Sequence, residues 1–267
     1  MQIKGKTVLV TGGGGGIGAG LAEAFAEKGA RVAVTDINRR YAEAEAERIG
    51  RGVIALEHDV TSLDSWAAVR HAVEEAFGPV DVLCNNAGIS QPFKPLDEVE
   101  PDVFARILAI NVIGVYNGIR TFVPAMKARG SGHVVNTSSV NGLVPHATFA
   151  AYTASKFAVT GLSEALRMEL APHGVGVSIL YPGLTRSRMS EGQVPGLSPE
   201  AQAALRERMM EPVWLGRAVV RAVETDAQHV VTHPEHRAAI EARMEALYAA
   251  HGEPAQPGFA GGSFAVE

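Results

Sequence analysis

Short apolar runs alternate with segments of helical periodicity through most of the chain. Residues 7–11 (TVLVT) have the composition of a buried strand, and apolar residues then recur at Ile17, Leu21 and Phe25 with the spacing of one helix face. Similar strand-like runs occupy residues 31–36, 53–56, 80–84, 132–137, 176–181 and 230–232. Right-handed crossovers place helices on both faces of a parallel sheet. The alternation therefore predicts an α/β fold in three layers, doubly wound, with a seven-stranded, mainly parallel sheet.

The segments between the strands carry helix signals. Thr61 and Asp64 form a capping-box pattern, and a long helix over residues 101–129 is expected to bend near Pro124. Further helices are predicted at residues 41–49, 151–171, 215–225 and from 234 onward. Residues 184–213 are polar and weakly helical, which predicts a substrate lid, and residues 252–267 form a Gly-, Pro- and Ala-rich tail. Residues 1–251 are accordingly predicted to be one catalytic domain.

Composition narrows the class of protein. The chain is 46% apolar and 20% charged, and its net charge of −5 comes without a Lys/Arg stripe, so we expect no nucleic-acid partner. We expect neither a signal peptide nor a membrane-spanning run, and therefore a cytoplasmic location. The one cysteine, Cys84, lies in an apolar run and is expected to be a buried core residue without a disulfide partner in the chain.

Five consecutive glycines, Gly12 to Gly16, separate the first predicted strand from the first helix and lead into Ile17-Gly18. At such a place the backbone can approach a pyrophosphate, and the unpaired N–H groups of the helix start can bind it. A flexible turn would not require the flanking strand and helix. The context therefore predicts a dinucleotide site.

Asp36 ends the second strand about twenty residues after the glycines. A carboxylate there can accept hydrogen bonds from both ribose hydroxyls and repel a 2′-phosphate, which favours NAD over NADP. The neighbouring Arg39 and Arg40 could bind a phosphate and offset this preference. Asp59-Val60 and Asn86-Ala87-Gly88 follow the third and fourth strands, at the sheet edge where doubly wound folds bind ligands.

Tyr152 and Lys156 are four residues apart in a predicted helix, so their side chains share one face. A nearby cation favours the phenolate and brings a tyrosine towards a useful acid/base range. A solvated Tyr/Lys pair has the same spacing, so the pair alone leaves both interpretations open.

The ordered set of motifs resembles the compact short-chain dehydrogenase/reductase family from residue 5 to about residue 235. The matching positions are Thr11, Gly16-Ile17-Gly18, Asn85-Asn86-Ala87-Gly88, Asn111-Val112-Ile113-Gly114, Ser138-Ser139, Tyr152, Lys156 and Tyr181-Pro182-Gly183. The resemblance implies a Rossmann fold and hydride transfer between a nicotinamide cofactor and an alcohol or ketone. From Trp214 onward, with Thr232-His233 and Arg237, the chain more weakly resembles the branch that contains bacterial aryl-ether Cα-dehydrogenases.

The resemblance also implies a role for each catalytic residue. Tyr152 would be the general acid/base, Lys156 would bind the nicotinamide ribose and lower the pKa of Tyr152, Ser139 would hydrogen-bond the substrate oxygen, and Asn111 would hold a water linking Lys156 to solvent. The expected cofactor contacts are Gly12, Gly16, Ile17, Gly18, Asp36, Asp59, Val60, Asn86, Ala87, Gly88, Tyr152, Lys156, Pro182, Gly183, Thr185 and Ser187.

One motif departs from the family pattern. The family commonly has Val and then Thr after Pro-Gly, where this chain has Thr185 and Ser187. Ser187 keeps a hydroxyl, whereas Thr185 is expected to act through its backbone.

The substrate pocket is expected to be apolar. Its predicted walls are residues 90–93 and 140–149, Leu184 and the lid through Trp214, and the expected substrate contacts are Ser139, Val140, Phe149, Tyr152 and Leu184. Because these walls are apolar, we expect the substrate to be a hydrophobic or aromatic secondary alcohol or ketone. The long helices predicted over residues 101–129 and 151–171 resemble the four-helix interface that the family shares, and their outward small and apolar residues would otherwise be exposed. We therefore expect a homotetramer or homodimer.

Several alternatives compete with this interpretation. A cofactor-sensing protein without catalysis need not keep all four catalytic side chains. The enoyl reductase branch resembles a pattern in which the Lys follows the Tyr at a wider spacing than the four residues seen here. A halohydrin-lyase-like enzyme would lack the intact glycine loop and Asp36. His229, His233 and His236 suggest a metal site, but they straddle a strand and a Pro-started helix, so we expect surface histidines and no metal.

Overall fold

A computed structural model describes residues 1–187, 189 and 197–252. Its seven strands form one sheet with all neighbours parallel, in the order β3-β2-β1-β4-β5-β6-β7. The strands are β1 (Thr7–Thr11), β2 (Arg31–Asp36), β3 (Ile54–Glu57), β4 (Val82–Asn85), β5 (Gly132–Thr137), β6 (Val175–Tyr181) and β7 (His229–Val231). The predicted three-layer, doubly wound α/β fold is confirmed, and the order reverses between β1 and β4, where such sheets open a ligand crevice.

The helices connect the strands as right-handed crossovers require. They are α1 (Gly16–Glu27), α2 (Arg39–Ile49), α3 (Leu63–Phe77), α4 (Pro101–Leu108), α5 (Gly114–Arg129), α6 (Ala150–Leu170), α7 (Pro199–Glu207), α8 (Pro212–Thr225) and α9 (Arg237–Ala249). A π-helical turn over Ala109–Ile113 joins α4 to α5 without a break.

Two apolar clusters cover the faces of the sheet. On one face Leu21 and Phe25 of α1 pack with Val219 of α8, and on the other Trp66 of α3 packs with Phe122 of α5. All five side chains are buried. Burying large apolar groups on both faces is the main force that holds the helices to a parallel sheet.

Cys84 belongs to the first of these clusters, as predicted. Burial raises the pKa of its thiol far above the ordinary value. The thiolate, which is the reactive form, is therefore suppressed.

The helices α1 and α8 cross with their backbones almost in contact. A Cβ on Gly216 would lie 2.1 Å from the carbonyl oxygen of Gly20, and one on Gly20 would lie 2.3 Å from the carbonyl carbon of Pro212. The two glycines therefore allow α8 to pack directly over the helix that starts at the glycine loop.

The helical stretch Pro101–Arg129 is 29 residues long. It contains an 18-residue window with a mean hydropathy of 1.3, and 33% of that window is buried. By length and composition it could span a bilayer, which the sequence analysis did not anticipate. A packed helix of a globular protein meets the same test, and buried residues such as Ile107 and Phe122 lie in the interior of this chain. Pro124 lies within the regular helix α5.

Other local predictions need correction. Ser62, rather than Thr61, caps α3 by accepting a hydrogen bond from the backbone N–H of Ser65, while the Thr61 hydroxyl donates to Asp59. Residues 188 and 190–196 of the predicted lid lie outside the described part of the chain. The described part of this segment contains the regular helix α7, capped by Ser198, and α8 begins within it at Pro212, while its role as a lid stays a prediction. The ends of β3, β4, β6 and β7 differ from prediction by one or two residues.

The chain divides into two compact units, Met1–His233 and Pro234–Glu267. The first contains the whole sheet and α1 to α8. The second contains a short 3-10 turn and α9, whose Arg237 and Glu241 form an ion pair one turn apart. The predicted boundary at residue 251 stays a prediction, and residues 253–267 of the tail lie outside the described part.

Candidate active site

Tyr152 and Lys156 lie on the inward face of α6, as their spacing predicted. The Lys156 Nζ lies 5.5 Å from the centre of the Tyr152 ring and donates a hydrogen bond to the carbonyl oxygen of Thr137 at 2.9 Å. Lys156 is buried, and Tyr152 is half-buried. The pair is therefore not on a solvated helix face.

Ser139 meets the tyrosine from the end of β5. Its hydroxyl lies beside that of Tyr152 and opposes the rise that burial causes in the pKa of the phenol. The same hydroxyl accepts a hydrogen bond from the backbone N–H of Asn141 at 3.1 Å and donates one to the Pro182 carbonyl oxygen at 3.5 Å. The extended backbone of Ser139 begins a short 3-10 turn that carries it towards α6. Two hydroxyls thus lie side by side at the carboxyl edge of the sheet.

Asn111 lies in the π-helical turn between α4 and α5. Its Oδ1 accepts a hydrogen bond from the Ile89 N–H at 2.8 Å, and its Nδ2 donates to the Ile89 carbonyl oxygen and the Ser155 hydroxyl. A Cβ on Gly88 would lie 3.2 Å from Asn111 Oδ1 and 3.6 Å from Lys156 Nζ. Asn111, Ser139, Tyr152 and Lys156 therefore converge, with Gly88 between the asparagine and the lysine.

Burial controls the protonation of this group. It raises the pKa of Tyr152, an effect opposed by the hydrogen bond from Ser139, and it lowers the pKa of Lys156 to about 8. The ammonium was expected to lower the pKa of the tyrosine. Burial has the larger effect on that pKa, because the same interior desolvates both groups.

The glycine loop leaves a cradle beside the start of α1. Gly12 and Gly16 have φ angles of 63° and 53°, which other residues seldom adopt. A Cβ on Gly14 would lie 2.6 Å from Asp36 Oδ2, and one on Gly16 would lie 2.6 Å from Ser187 Cβ. The N-cap residue of α1, Gly15, provides no side-chain cap for the first N–H groups of the helix. These features fit the pyrophosphate of a dinucleotide.

Asp36 faces this cradle from the end of β2. Its Oδ2 accepts a hydrogen bond from the Gly14 N–H at 3.1 Å, and its Oδ1 accepts one from the Asn38 N–H at 3.0 Å. Arg39 points along α2 and pairs with Glu43 at 2.7 Å. The carboxylate is thus fixed beside the loop by backbone donors.

The residues after β3 and β4 are also firmly held. Asp59 accepts hydrogen bonds from both the N–H and the hydroxyl of Thr61, and the Val60 carbonyl oxygen accepts one from Trp66. Asn86 donates to the carbonyl oxygen of Thr11 at 3.0 Å. Both turns therefore lie at the same sheet edge as the glycine loop.

The chain matches the family model for short chain dehydrogenases over residues 6–197. It belongs to the short-chain dehydrogenase family. The Cα-dehydrogenase of Sphingobium sp. strain SYK-6 is 31% identical over 259 residues, which cover 91% of this chain and 85% of the relative. A 3-alpha-(or 20-beta)-hydroxysteroid dehydrogenase of Mycobacterium bovis is 35% identical over 228 residues, covering 85% and 86%.

Solved structures of the family have the same fold. A short-chain dehydrogenase/reductase of Burkholderia phymatum in complex with NAD superposes with a TM-score of 0.84 at 27% identity, covering 96% of this chain and 99% of that one. This short-chain dehydrogenase is accordingly an oxidoreductase that acts on CH–OH donors with a nicotinamide cofactor. The resemblance to the aryl-ether branch is confirmed by the Sphingobium relative.

The segment after β6 closes the site of this short-chain dehydrogenase. The backbone N–H of Val140 donates to the Pro182 carbonyl oxygen at 3.0 Å. Thr185 is buried and its hydroxyl donates to the carbonyl oxygen of Gly183, so the backbone contribution expected of it stays a prediction. Ser187 lies over Gly16, next to the cradle.

His233 holds this segment, which the sequence analysis missed. It is buried rather than at the surface, and its Nδ1 accepts a hydrogen bond from the Gly183 N–H at 2.9 Å while its Nε2 lies 3.2 Å from the Leu184 carbonyl oxygen. The partners are about fifty residues away in sequence, so no local pattern signals the contact. Among the described residues, no group of three His, Cys, Asp or Glu side chains could hold a metal.

An aromatic wall lies beside Tyr152. Phe149 packs edge-on against Phe93, with ring centres 4.4 Å apart, and its ring centre lies 6.2 Å from that of Tyr152. Leu184, on the segment after β6, is 41% exposed. Phe93 was included in the predicted pocket wall only as part of a range, and the structure identifies it as the partner of Phe149.

Proposed function

We propose that this chain is an NAD-dependent alcohol dehydrogenase and ketoreductase for hydrophobic or aromatic secondary alcohols and ketones. The observation that carries the proposal is the pair of adjacent hydroxyls on Tyr152 and Ser139, with the buried ammonium of Lys156 beside the phenol. A carbonyl oxygen that binds both hydroxyls is next to a proton donor and a fixed hydrogen-bond donor.

Each residue of the group has a distinct task. In reduction, Tyr152 gives its proton to the substrate oxygen as negative charge develops there, and in oxidation it removes the proton from the alcohol. Ser139 donates a hydrogen bond to the same oxygen. The bound nicotinamide supplies or accepts the hydride.

Lys156 and Asn111 support the tyrosine. The Lys156 ammonium stabilises negative charge on the phenol oxygen and binds the nicotinamide ribose. Asn111, which is fixed by Ile89 and Ser155, holds a water that restores the proton from solvent. Both side chains lie within 4 Å of the position that a Cβ on Gly88 would take, which supports this route.

The cofactor is held along the carboxyl edge of β1, β2 and β4. Gly12, Gly16, Ile17 and Gly18 surround the pyrophosphate, and Asp36 binds the adenosine ribose, which favours NAD. Asp59, Val60, Asn86, Ala87 and Gly88 line the remaining edge, and Pro182, Gly183, Thr185 and Ser187 contact the nicotinamide end. Gly14 and Asn38 orient the Asp36 carboxylate for this purpose.

The substrate class follows from the wall of the pocket. Val140, Phe149 and Leu184 give it apolar surface, and Phe93 extends the aromatic part. The relative that is named as a hydroxysteroid dehydrogenase supports a bulky, hydrophobic substrate.

A substrate panel tests the proposal. Purified chain is assayed by nicotinamide absorbance with aryl and alicyclic secondary alcohols and a polyol of similar size. We expect a kcat/KM at least about tenfold higher for the hydrophobic alcohols, equivalent to about 1.4 kcal/mol of transition-state binding. Phe149→Leu, as a matched variant, should weaken aryl more than alicyclic substrates. No turnover of any alcohol or ketone, or preference for the polyol, would contradict the proposal.

A further inference from the structure

Gln91 is a buried amide in the segment between β4 and α4, and it belongs to neither the catalytic group nor the cofactor contacts described above. Only 5% of its surface is exposed. A buried side-chain amide must find partners for both of its ends, because an unpaired polar group in the interior is costly. Both partners of Gln91 lie near residue 150, about sixty positions along the chain.

One end of the amide caps the catalytic helix. Gln91 Oε1 accepts a hydrogen bond from the backbone N–H of Tyr152 at 2.9 Å. This N–H lies in the first turn of α6, where it has no partner within the helix, and the N-cap residue Phe149 provides no side-chain cap. Gln91 thus replaces the usual local cap from a distant segment.

The other end fixes the chain just before the helix. Gln91 Nε2 donates to the Thr148 carbonyl oxygen at 3.0 Å, and the backbone N–H of Lys94 donates to the same oxygen at 3.2 Å. Thr148 has a φ of 65°, a left-handed conformation that a β-branched residue rarely adopts. The two hydrogen bonds hold this residue in place and so set the direction in which the chain enters α6.

We propose that Gln91 is a positioning residue that places the Tyr152 hydroxyl against Ser139 and fixes Phe149 in the substrate wall. This rests on the proposed function, in which Tyr152 transfers the proton. Tyr152 and Ser139 come from different elements, α6 and the end of β5, so their contact depends on where the first turn of α6 lies. Gln91 bridges Thr148 and Tyr152, which are four positions apart, and determines that position.

The proposal predicts a loss in kcat without a loss in cofactor binding. Gln91→Met keeps the length of the side chain and removes both hydrogen bonds. We expect kcat to fall by about 10- to 100-fold, because displacing a reacting group by about 1 Å has this effect. The dissociation constant for NADH, measured by its fluorescence, should stay close to that of the wild type, since Gln91 contacts neither the glycine loop nor Asp36 in the described structure.

Gln91→Glu separates the two hydrogen bonds. Its carboxylate still accepts from the Tyr152 N–H but cannot donate to Thr148, so kcat should lie between those of Gln91→Met and the wild type. If Gln91→Met is too unstable to assay, Gln91→Glu alone tests the role: its kcat should be below that of the wild type while its NADH dissociation constant is unchanged.

Arg167→Met is the matched control. Arg167 lies near the other end of α6 and donates to the carbonyl oxygen of Val177 at 2.8 Å and to Asp226. The variant removes long-range hydrogen bonds from the same helix, so it should lower thermal stability while kcat stays at the wild-type level. A loss of kcat in Arg167→Met equal to that in Gln91→Met would overturn the proposal by showing a general effect of loosening α6.

The outcomes also separate the proposal from the proposed function. If the wild type turns over and Tyr152→Phe does not, a wild-type kcat in Gln91→Met overturns the positioning role alone. If Tyr152→Phe is as active as the wild type, both are overturned. A selective loss of kcat in Gln91→Met with partial recovery in Gln91→Glu supports the proposal.

Discussion

Tyr152 and Lys156 occupy one face of α6, and the interior around them shifts their pKa values in opposite directions. The Lys156 pKa of about 8 leaves the ammonium mainly protonated at neutral pH, while the raised pKa of Tyr152 keeps the phenol as a proton donor. The buried charge on Lys156 therefore has a cost in stability.

Lys156→Met should make the protein more stable and inactive at pH 7. A shift from 10.5 to about 8 corresponds to roughly 3 kcal/mol, and losing the bond to Thr137 offsets part of this, so we expect a gain of about 1–3 kcal/mol in the free energy of unfolding. Because the folded-state pKa lies below the unfolded one, the cost in the wild type is largest below pH 8. It disappears as the pH rises towards 10.5.

Urea unfolding of both proteins from pH 7 to pH 10 measures this difference. Turnover and cofactor affinity should both fall in the variant, since the ammonium is proposed to serve both. A variant that is less stable at pH 7, or a difference that does not shrink with rising pH, would disagree with the burial of a charged lysine.

Asp36→Ala should shift cofactor preference from NAD towards NADP. The wild-type carboxylate is held by Gly14 and Asn38, and a 2′-phosphate would replace two ribose hydrogen bonds with a like charge. We expect a wild-type preference for NAD of about tenfold to a few hundredfold in kcat/KM. The test compares kcat/KM for both cofactors in both proteins, and an unchanged ratio in Asp36→Ala would show that this carboxylate does not face the ribose.

At the scale of elements, the crossing of α1 and α8 connects the glycine loop to the rest of the fold. Gly20→Ala should destabilise the protein by about 1–3 kcal/mol, because the new methyl group would overlap the backbone of Pro212. An alanine in an open helix position would instead stabilise by up to about 1 kcal/mol, so the sign of the effect is decisive. Thermal unfolding of Gly20→Ala measures it, and an unchanged or higher melting temperature would refute the close contact.

Periodicity predicted the strands and most helices because their signals are local. The bounds of β1, β2 and β5 agree with prediction to the residue. The π-helical turn at Ala109–Ile113 was not predicted, since it adds one residue to a turn within an otherwise continuous apolar pattern. That turn places Asn111 inside the site.

In the site, too, local motifs could be predicted from the sequence, whereas long-range contacts could not. The Tyr152–Lys156 pair and the glycine loop are each defined by a short spacing, so the sequence alone predicts each motif. Gln91 and His233 act through contacts with residues about fifty or sixty positions away, and only the fold reveals these contacts. The direction of the Tyr152 pKa shift also depends on burial, which spacing cannot give.

At the scale of the whole molecule, the outer face of α6 predicts self-association. Small residues recur along it at helical spacing and are exposed in the single chain: Ala154, Ala158, Gly161 and Ala165. Ile113, at the end of the π-helical turn, and Tyr116, in α5, are also 49% and 45% exposed. Such surfaces in a globular protein commonly pack against a second copy.

Ala158→Glu tests this surface. We expect the wild type to sediment as a dimer or tetramer and the variant as a smaller species, because a buried unpaired carboxylate opposes association. Ala44→Glu, at an exposed alanine on α2, is the control and should leave the assembly intact. A monomeric wild type at working concentration would contradict the prediction.

In the proposed reaction, the Tyr152 phenol transfers the proton that accompanies hydride transfer. The most direct measurement compares kcat and the NADH dissociation constant in the wild type and in Tyr152→Phe, with the best alcohol of the substrate panel. Because general acid–base catalysis contributes about 10²- to 10⁴-fold, we predict a loss of kcat in this range with cofactor affinity nearly unchanged. A Tyr152→Phe variant with near wild-type kcat, or one whose lost activity is matched by lost NADH binding, would contradict the account.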